Sequence, residues 1–293
     1  MHRGVAIVRL PWRRRTTLSD GQRRWLRRIV ANTRFELIPL TTVAERSAAL
    51  PAGSVVTVTA SPGKGLERTV EVAAGLAERG HHVVPHLAAR MVRDRRHLLD
   101  LLAPMREAGI RRAFVVGGDA TEPGAFPTGL SLLRALVDSG HDWEELGVPA
   151  YPEGHVSIPD EALLRDLQAK QELATFMVTQ LCLDADAIVR WIPRVRSDGI
   201  ALPILVGLPG PVDVRKLVNI VAKTGIGDAL GYVRKNRRTV GRMLARGGFE
   251  PDALLAQLGP VLGDSAGVVG VHLFTFNEVE RSVRWRDATA RAT

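Results

Sequence analysis

The sequence predicts a (β/α)8 barrel that follows a basic N-terminal extension. Two observations favour this fold class. Short β-branched, apolar runs alternate with amphipathic stretches of helical period, which is typical of repeated βα units around a parallel sheet. Eight such runs fit into residues 33–293, and both their number and the length of this segment match a single barrel domain. A doubly wound open sheet is the alternative that the same alternation allows.

The predicted strands are almost continuously apolar, which indicates burial on both faces of the sheet. They are 34–40, 54–60, 82–88, 113–118, 147–152, 176–183, 203–209 and 270–276. The predicted helices between them have apolar residues at helical spacing, and several end in glycine, as helix C-termini often do. They are 68–80, 94–109, 131–140, 161–174 and 212–225.

The positive charge of the chain is concentrated at its N-terminus. Residues 1–34 contain ten arginines and one acid, Asp20, and so account for the whole net charge of +9, because the remainder holds 30 basic and 30 acidic residues. We therefore divide the chain into a basic extension, residues 1–32, and a barrel domain, residues 33–293, which we expect to hold any catalytic site. Within the extension, residues 22–32 predict a basic helix that packs on the barrel through an apolar stripe. The stripe consists of Trp25, Leu26, Ile29 and Val30.

Composition restricts the classes of function. The single cysteine, Cys182, excludes an internal disulfide, and no run approaches the roughly 18 apolar residues of a membrane helix. The N-terminus lacks the apolar core of a signal peptide, so we expect a cytoplasmic protein without membrane contact. A nucleic-acid-binding protein that uses the basic extension is the non-enzyme alternative. A neutral barrel and 5% aromatic residues offer neither a phosphate-binding groove nor a stacking platform, so we expect no nucleic-acid partner.

Two acidic residues are candidates for catalysis, because the chemistry of such barrels lies at the C-terminal ends of the strands. Glu36 interrupts the apolar strand 34–40, where burial of an unpaired carboxylate favours the protonated form. This predicts a proton-donating or substrate-binding role, with a buried structural pair as the alternative. Asp119 follows Gly117 and Gly118 at the end of the fourth strand. The glycines permit close approach of a flat ligand, and the carboxylate would then stabilise a cation or, alternatively, cap the next helix.

Residue types that could bind a metal occur together at two places in the sequence. The sequence YPEGH brings Tyr151 and His155 together, and a group of three histidines includes His86. Their spacing would allow a metal site. Because no cysteine pair and no HExxH signature accompanies them, we predict no metal and a structural or substrate-facing role.

The motifs, in their order along residues 33–285, resemble those of the methylenetetrahydrofolate reductase family. Seven pieces in one order are hard to produce by accident. The pieces are Phe35-Glu36, VTVTA with Thr59, VVPHLA with His86, VVGGDA with Asp119, YPEGH with Tyr151 and His155, KQELATFMVTQLCLD with Lys170 and Gln180, and VHLFTFNEVE.

This resemblance implies a barrel enzyme that reduces 5,10-methylenetetrahydrofolate to 5-methyltetrahydrofolate with NADH or NADPH as hydride donor. Glu36 then corresponds to the catalytic acid that assists opening of the five-membered folate ring, and Asp119 to the aspartate that stabilises an iminium cation. Gln180 corresponds to a pterin-binding glutamine, and we add Tyr151 and Phe35 to the substrate-binding residues. The cofactor-binding residues that the resemblance implies are Thr59, His86, Gly118, His155 and Lys170.

The sequence departs from the family where its members usually bind FAD. Residues 117–119 read Gly-Gly-Asp in place of Arg-Gly-Asp, and on the helix 161–174 the family's acid and second arginine are replaced by Leu163 and Ala169, which leaves Lys170. Each guanidinium lost opposite a diphosphate removes charge-assisted hydrogen bonds of about 1.5–3 kcal/mol. We therefore predict a variant without flavin, similar to a divergent actinobacterial branch. The alternatives are FAD with replacement contacts, and a reductase of another pterin or carbon-transfer compound with a deazaflavin.

Overall fold

The protein folds into a closed barrel of eight parallel strands in sequential order. The computed structural model describes residues 18–155, 157–213, 251–259, 263 and 266–292. Closure through pairing of the first strand with the last confirms the predicted (β/α)8 barrel and excludes the open sheet. The strands are β1 (Thr33–Leu37), β2 (Val55–Val58), β3 (His82–Ala88), β4 (Arg112–Val116), β5 (Glu145–Ala150), β6 (Phe176–Thr179), β7 (Ile204–Pro209) and β8 (Val268–Phe274).

Helices alternate with these strands among the described residues. They are α1 (Asp20–Ala31), α2 (Val43–Arg46), α3 (Gly65–Glu78), α4 (Arg95–Glu107), α5 (Gly129–Val137), α6 (Asp160–Lys170), α7 (Ala185–Ser197), α8 (Asp252–Leu258) and α9 (Val279–Ala292). Every predicted strand has a counterpart, although β1 and β6 end three and four residues earlier than predicted. The predicted helix 212–225 lies, from residue 214 onward, outside the described residues.

The half of the barrel interior near the N-terminal ends of the strands is filled mainly by apolar side chains. Phe114 and Phe176 stack with their ring centroids 6.3 Å apart, and the Arg34 guanidinium lies 4.4 Å above the Phe176 ring. Gly147 provides the space, since a Cβ there would lie 2.2 Å from Phe176 Cζ. Arg34 donates two hydrogen bonds, of 2.9 and 3.3 Å, to the Glu145 carboxylate. This pair neutralises the buried guanidinium at the end of the barrel opposite to the strand C-termini.

Helix α1 belongs to the packed body of the protein. It begins with a capping box between Ser19 and Gln22, and its predicted apolar stripe is fully buried. The helix packs against α9 and β8, and a Cβ on Gly259 would lie only 2.8 Å from Leu26 Cδ1. Its arginines at 24, 27 and 28 face solvent. The segment from residue 18 onward is thus packed on the barrel, and the division of the chain at residue 32 stays a prediction.

None of the described helices combines the length and the apolar character that crossing a membrane requires.

Candidate active site

The candidate site is centred on Glu36, the fourth of the five residues of β1. Its neighbours Phe35 and Leu37 are buried in the main core cluster, which also contains residues of the surrounding helices. Because successive side chains of a strand point to opposite faces, Glu36 points into the barrel. Its side chain is 12% exposed and lies near the C-terminal mouth. The carboxyl group is therefore largely desolvated and still partly open to a ligand.

Two imidazoles approach the same oxygen of Glu36. His272 Nε2 on β8 lies 3.0 Å from Glu36 Oε2, within hydrogen-bonding distance. His86 Nε2 on β3 lies 3.8 Å from the same oxygen and, among the described residues, has no hydrogen-bond partner. The His86 ring packs against Phe114, with the centroids 4.7 Å apart. Thr57, the register partner of Glu36 on β2, has a buried hydroxyl with no hydrogen-bond partner in the described part of the chain. At this level of the barrel interior, the carboxyl group of Glu36 is thus accompanied by polar groups from β2, β3 and β8.

His86 is held in its neutral form. Burial lowers the pKa of His86 to about 4, the nearby Glu36 carboxylate opposes this shift, and His272 adds to it. Desolvation exceeds the attraction of the carboxylate because an imidazolium at this buried position would lose most of its hydration. At neutral pH His86 therefore adds no positive charge next to Glu36.

The chain after β8 fixes the end of β1. The Thr275 hydroxyl donates a hydrogen bond to the Glu36 carbonyl oxygen. The Asn277 side chain accepts from the Ile38 N–H and donates to the Ile38 carbonyl oxygen, each at 2.9 Å. Phe276 and Asn277 both have left-handed backbones, with φ of 51° and 58°. Such a conformation is costly for residues other than glycine, and here it places the Asn277 amide against the backbone of β1.

Asp119 lies on the loop after β4 and is exposed to solvent. Gly118 before it has φ of +85°, and a Cβ there would lie 3.0 Å from the Ala88 Cβ, so glycine is required at this turn. Arg90 orders the loop by donating hydrogen bonds of 2.6 and 2.7 Å to the carbonyl oxygens of Ala120 and Thr121. The carboxylate of Asp119 thus stands on an ordered loop at the barrel mouth.

Tyr151 follows the end of β5. Burial raises the pKa of Tyr151 to about 12, and the negative charges of Asp166 and Asp119 add to this effect. The phenol therefore remains a hydrogen-bond donor at neutral pH. Its ring meets that of His155 edge to face at 5.3 Å. The structure brings together Tyr151, His155 and the negative charge of Asp119 on one side of the mouth.

Two further predicted residues lie at strand ends. Gln180 follows β6 and is exposed, and its side-chain oxygen accepts a hydrogen bond from the Leu181 N–H at 2.8 Å. Thr59 follows β2 and donates its backbone N–H to the Leu37 carbonyl oxygen at 2.9 Å. Gln180 is therefore accessible to a ligand, whereas the Thr59 N–H connects β2 to β1 and the Thr59 carbonyl oxygen accepts a hydrogen bond from the Thr69 hydroxyl on α3.

Lys170 is buried at the end of α6 and forms an ion pair with Asp166 one turn earlier. The ammonium lies beside the first residue of α5, because a Cβ on Gly129 would be 3.1 Å from Lys170 Nζ. The lysine charge is thus compensated within the helix. Its predicted role in cofactor binding stays a prediction.

Phe35 is buried on the outer face of β1. Its ring is 1% exposed, lies on the face of β1 opposite to Glu36, and has the Arg286 guanidinium of α9 at 5.5 Å. The alternation of side chains along the strand explains this position. Phe35 accordingly packs the barrel against its helices, a position that does not support its predicted contact with a substrate.

One group of side chains in the described part of the chain has donor atoms close enough to be considered for a metal ion. These are Glu36, His86 and His272, whose donor atoms lie within 4.8 Å of one another. A carboxylate with two imidazoles is a ligand set that zinc accepts. No metal was predicted, and that absence stays a prediction.

His272 is a residue of the candidate site that the sequence reasoning missed. It lies in the apolar strand β8, which reads VVGVHLF, and is only 1% exposed. A polar residue inside an apolar strand is the same signal that singled out Glu36. Applied to β8, that signal would have identified His272, although not its partner, which is 236 positions away in the sequence.

The family model for methylenetetrahydrofolate reductase matches residues 37–225, which is more than half of the chain. The chain belongs to the methylenetetrahydrofolate reductase family. Its resemblance to that family, inferred from the motifs, is thereby confirmed. The match begins directly after Glu36, at the last residue of β1, and its final residues from 214 onward lie outside the described part of the structure.

Two curated fungal relatives agree with this family. The chain is 30% identical over 89 residues to methylenetetrahydrofolate reductase 2 of Saccharomyces cerevisiae, covering 29% of this chain and 15% of that protein. It is 32% identical over 113 residues to methylenetetrahydrofolate reductase 1 of Schizosaccharomyces pombe, covering 35% and 18%. The matched segments thus span less than a fifth of the length of either relative.

Among solved structures, the chain is similar to a Burkholderia cenocepacia protein with a provisional lyase/mutase assignment. The two are 14% identical, with 90% of this chain and 86% of that chain covered at a TM-score of 0.49. The family assignment rests on the sequence matches and not on this likeness.

Proposed function

We propose that the protein reduces 5,10-methylenetetrahydrofolate to 5-methyltetrahydrofolate with a hydride from NADH or NADPH. The observation that carries this proposal is the position of the Glu36 carboxyl group. It is largely desolvated at the mouth of a methylenetetrahydrofolate reductase barrel, and one of its oxygens is hydrogen-bonded to His272. A carboxyl group in such surroundings is suited to proton donation.

Glu36 is assigned the role of general acid. Its proton goes to the nitrogen that leaves the methylene carbon when the five-membered ring opens, and the C–N bond electrons move to that nitrogen. The remaining nitrogen and the methylene carbon then share a positive charge as an iminium cation. The hydride adds to that carbon, so one proton and one hydride together account for the methyl product.

Asp119 and two polar residues are assigned to binding the folate. The exposed Asp119 carboxylate on its ordered loop supplies a negative charge that would stabilise the iminium cation. Gln180 has an accessible amide for the pterin ring, and Tyr151 remains a phenolic donor because its pKa is about 12. These three groups follow the neighbouring strands β4, β6 and β5, and therefore lie next to one another along one side of the barrel mouth.

We further propose that hydride transfer is direct and needs no flavin. Gly117 replaces the arginine of the family motif, and the Lys170 ammonium is already paired with Asp166. Neither residue then offers a free cation to a diphosphate, so the described residues at these positions fit FAD poorly. Direct transfer is chemically adequate when a nicotinamide and the activated methylene are stacked face to face.

The test is a turnover assay with 5,10-methylenetetrahydrofolate, comparing NADH with NADPH. We expect Glu36→Gln to lower kcat by about 10²- to 10⁴-fold, the usual contribution of a general acid. Glu78→Gln is the matched control, because this glutamate is exposed on α3 and away from the barrel interior. Parental turnover by Glu36→Gln would refute the role of this carboxyl group.

The absence of flavin is tested separately. The purified protein should be colourless and should transfer hydride without added flavin. A stoichiometric flavin absorbance would refute direct transfer while leaving the reductase activity intact. Activity only with a deazaflavin or with another pterin would favour the alternative barrel reductase.

A further inference from the structure

The two oxygens of the Glu36 carboxyl group have different surroundings. Oε2 points to His272 at 3.0 Å and to His86 at 3.8 Å. Oε1 has no hydrogen-bond partner among the described residues, and this oxygen is not fully buried. One oxygen is therefore held inside the barrel, and the other is available to a ligand.

The surroundings of His272 restrict where its ring carries a proton. Nδ1 is buried and, within the described part of the chain, lacks a hydrogen-bond partner. A proton on Nδ1 would be a buried donor without an acceptor, which is costly, whereas a proton on Nε2 is bonded to Glu36 Oε2. The tautomer with its proton on Nε2 is therefore favoured while Glu36 is protonated.

The same tautomer is also the one that fits an ionised Glu36. With the proton on Nδ1, the Nε2 lone pair would face the lone pairs of a carboxylate at 3.0 Å, which is repulsive. With the proton on Nε2, the hydrogen bond to Oε2 persists before and after proton donation. No side chain has to rearrange during the reaction, which is the condition for a preorganised site.

We propose that His272 is a positioning residue that donates its Nε2–H to Glu36 Oε2 and thereby confines the transferable proton of Glu36 to Oε1, the oxygen that faces the substrate. This inference rests on the proposed reductase function for its catalytic consequence, but the hydrogen-bonding arrangement itself is independent of it. His272 does not touch the substrate. It acts by determining which carboxyl oxygen carries the proton.

The other groups around Glu36 do not compete for this role. His86 on β3 is the second ionisable group that faces the carboxyl, and its burial keeps it neutral near pH 7. Thr57 on β2 does not titrate, and Arg34, two residues earlier on β1, is bonded to Glu145. His272 is thus the described side chain that makes a hydrogen bond with the carboxyl group.

The first test is direct observation of the tautomer by ¹⁵N NMR of the histidine rings in the full-length protein. The His272 signals are assigned as those lost in His272→Gln. We expect a protonated Nε2 and an unprotonated Nδ1. A protonated Nδ1, or an imidazolium, would overturn the proposal whether or not the protein is a folate reductase. A stoichiometric zinc ion bound at these residues would overturn it as well.

The second test separates a hydrogen-bond donor from mere packing. His272→Leu fills a similar volume without a donor, whereas His272→Gln supplies an amide N–H. We expect His272→Leu to lower kcat on the order of 10- to 100-fold with the KM for folate changed less than about threefold, and His272→Gln to retain at least about a third of the parental kcat. His82→Gln, an exposed histidine at the start of β3, is the control and should behave like the parent.

The outcomes of the kinetic test are distinct. Parental kcat in His272→Leu, or an equal loss in His272→Gln and His272→Leu, would overturn the positioning role. If His272→Leu fails to fold, the NMR measurement on the parent still decides the question. A parent protein that binds folate but shows no turnover would refute the proposed function instead.

Discussion

Burial of His86 predicts a defined loss of stability in mild acid. Its pKa in the folded protein is about 4, against 6.5 for an unperturbed imidazole. The unfolded chain therefore takes up the proton first as the pH falls. The contribution of His86 to stability is fully present above about pH 6.5 and is lost as the pH decreases towards 4.

The magnitude follows from these two pKa values. Each tenfold difference in proton affinity corresponds to about 1.4 kcal/mol. Between pH 7 and pH 5, proton uptake by His86 in the unfolded chain therefore lowers the free energy of unfolding by about 2 kcal/mol. Replacing His86 with glutamine removes this titration. We therefore expect the parent to lose about 2 kcal/mol more free energy of unfolding over this range than His86→Gln does.

The assay is urea unfolding followed by tryptophan fluorescence at pH 7 and pH 5, with parent, His86→Gln and His82→Gln compared. His82 is exposed on the same strand, so its variant should follow the parent. An equal loss of stability in His86→Gln and in the parent would show that His86 does not titrate in this way, and the account of its burial would be wrong.

Two further predictions concern the scaffold of the site. Gly147→Ala should lower the free energy of unfolding by at least about 3 kcal/mol, because its Cβ would overlap the two stacked phenyl rings. Gly63 lies in open space, so Gly63→Ala should change the stability little. Equal melting temperatures of these two variants would contradict this reasoning. Asn277→Ala should lower the free energy of urea unfolding by about 2–4 kcal/mol, because it removes two hydrogen bonds to Ile38 and leaves alanine in a left-handed backbone conformation. Asn277→Gly should lower it by about 1 kcal/mol less, because glycine adopts that conformation without strain. Identical losses in the two variants would exclude a contribution from backbone strain.

The barrel was predictable because its signals are local. Apolar runs of strand length and the helical stretches between them determine the order of elements, and a parallel sheet with this alternation closes in few ways. Glycines at 80 and 109 end their helices in the left-handed conformation that only glycine adopts readily. The early ends of β1 and β6 had no comparable signal, since the chain continues apolar beyond the last strand hydrogen bond.

The site was predictable only in part because it depends on contacts across the barrel. Glu36 stands out in its own strand, but the bond to His272 exists only because β1 pairs with β8 on closure. The position of Phe35 follows from a local rule, since adjacent residues of a strand face opposite ways, and that rule separates it from Glu36. The pair of Asp166 with Lys170 is likewise local, at the spacing of one helical turn.

The surroundings of β1 explain how two ionisable residues on one face of a strand take different roles. Arg34 and Glu36 both point into the barrel, two positions apart, and a free guanidinium there would hold the carboxyl ionised. Glu145 bonds to both terminal nitrogens of Arg34, so that charge is compensated at the far end of the barrel. The described polar side chains that face the Glu36 carboxyl group are those of His86, which its burial keeps neutral, Thr57 and His272. Arg34 is thus held in a structural ion pair, whereas the Glu36 carboxyl group has no guanidinium or ammonium partner among the described residues and keeps one oxygen available to a ligand.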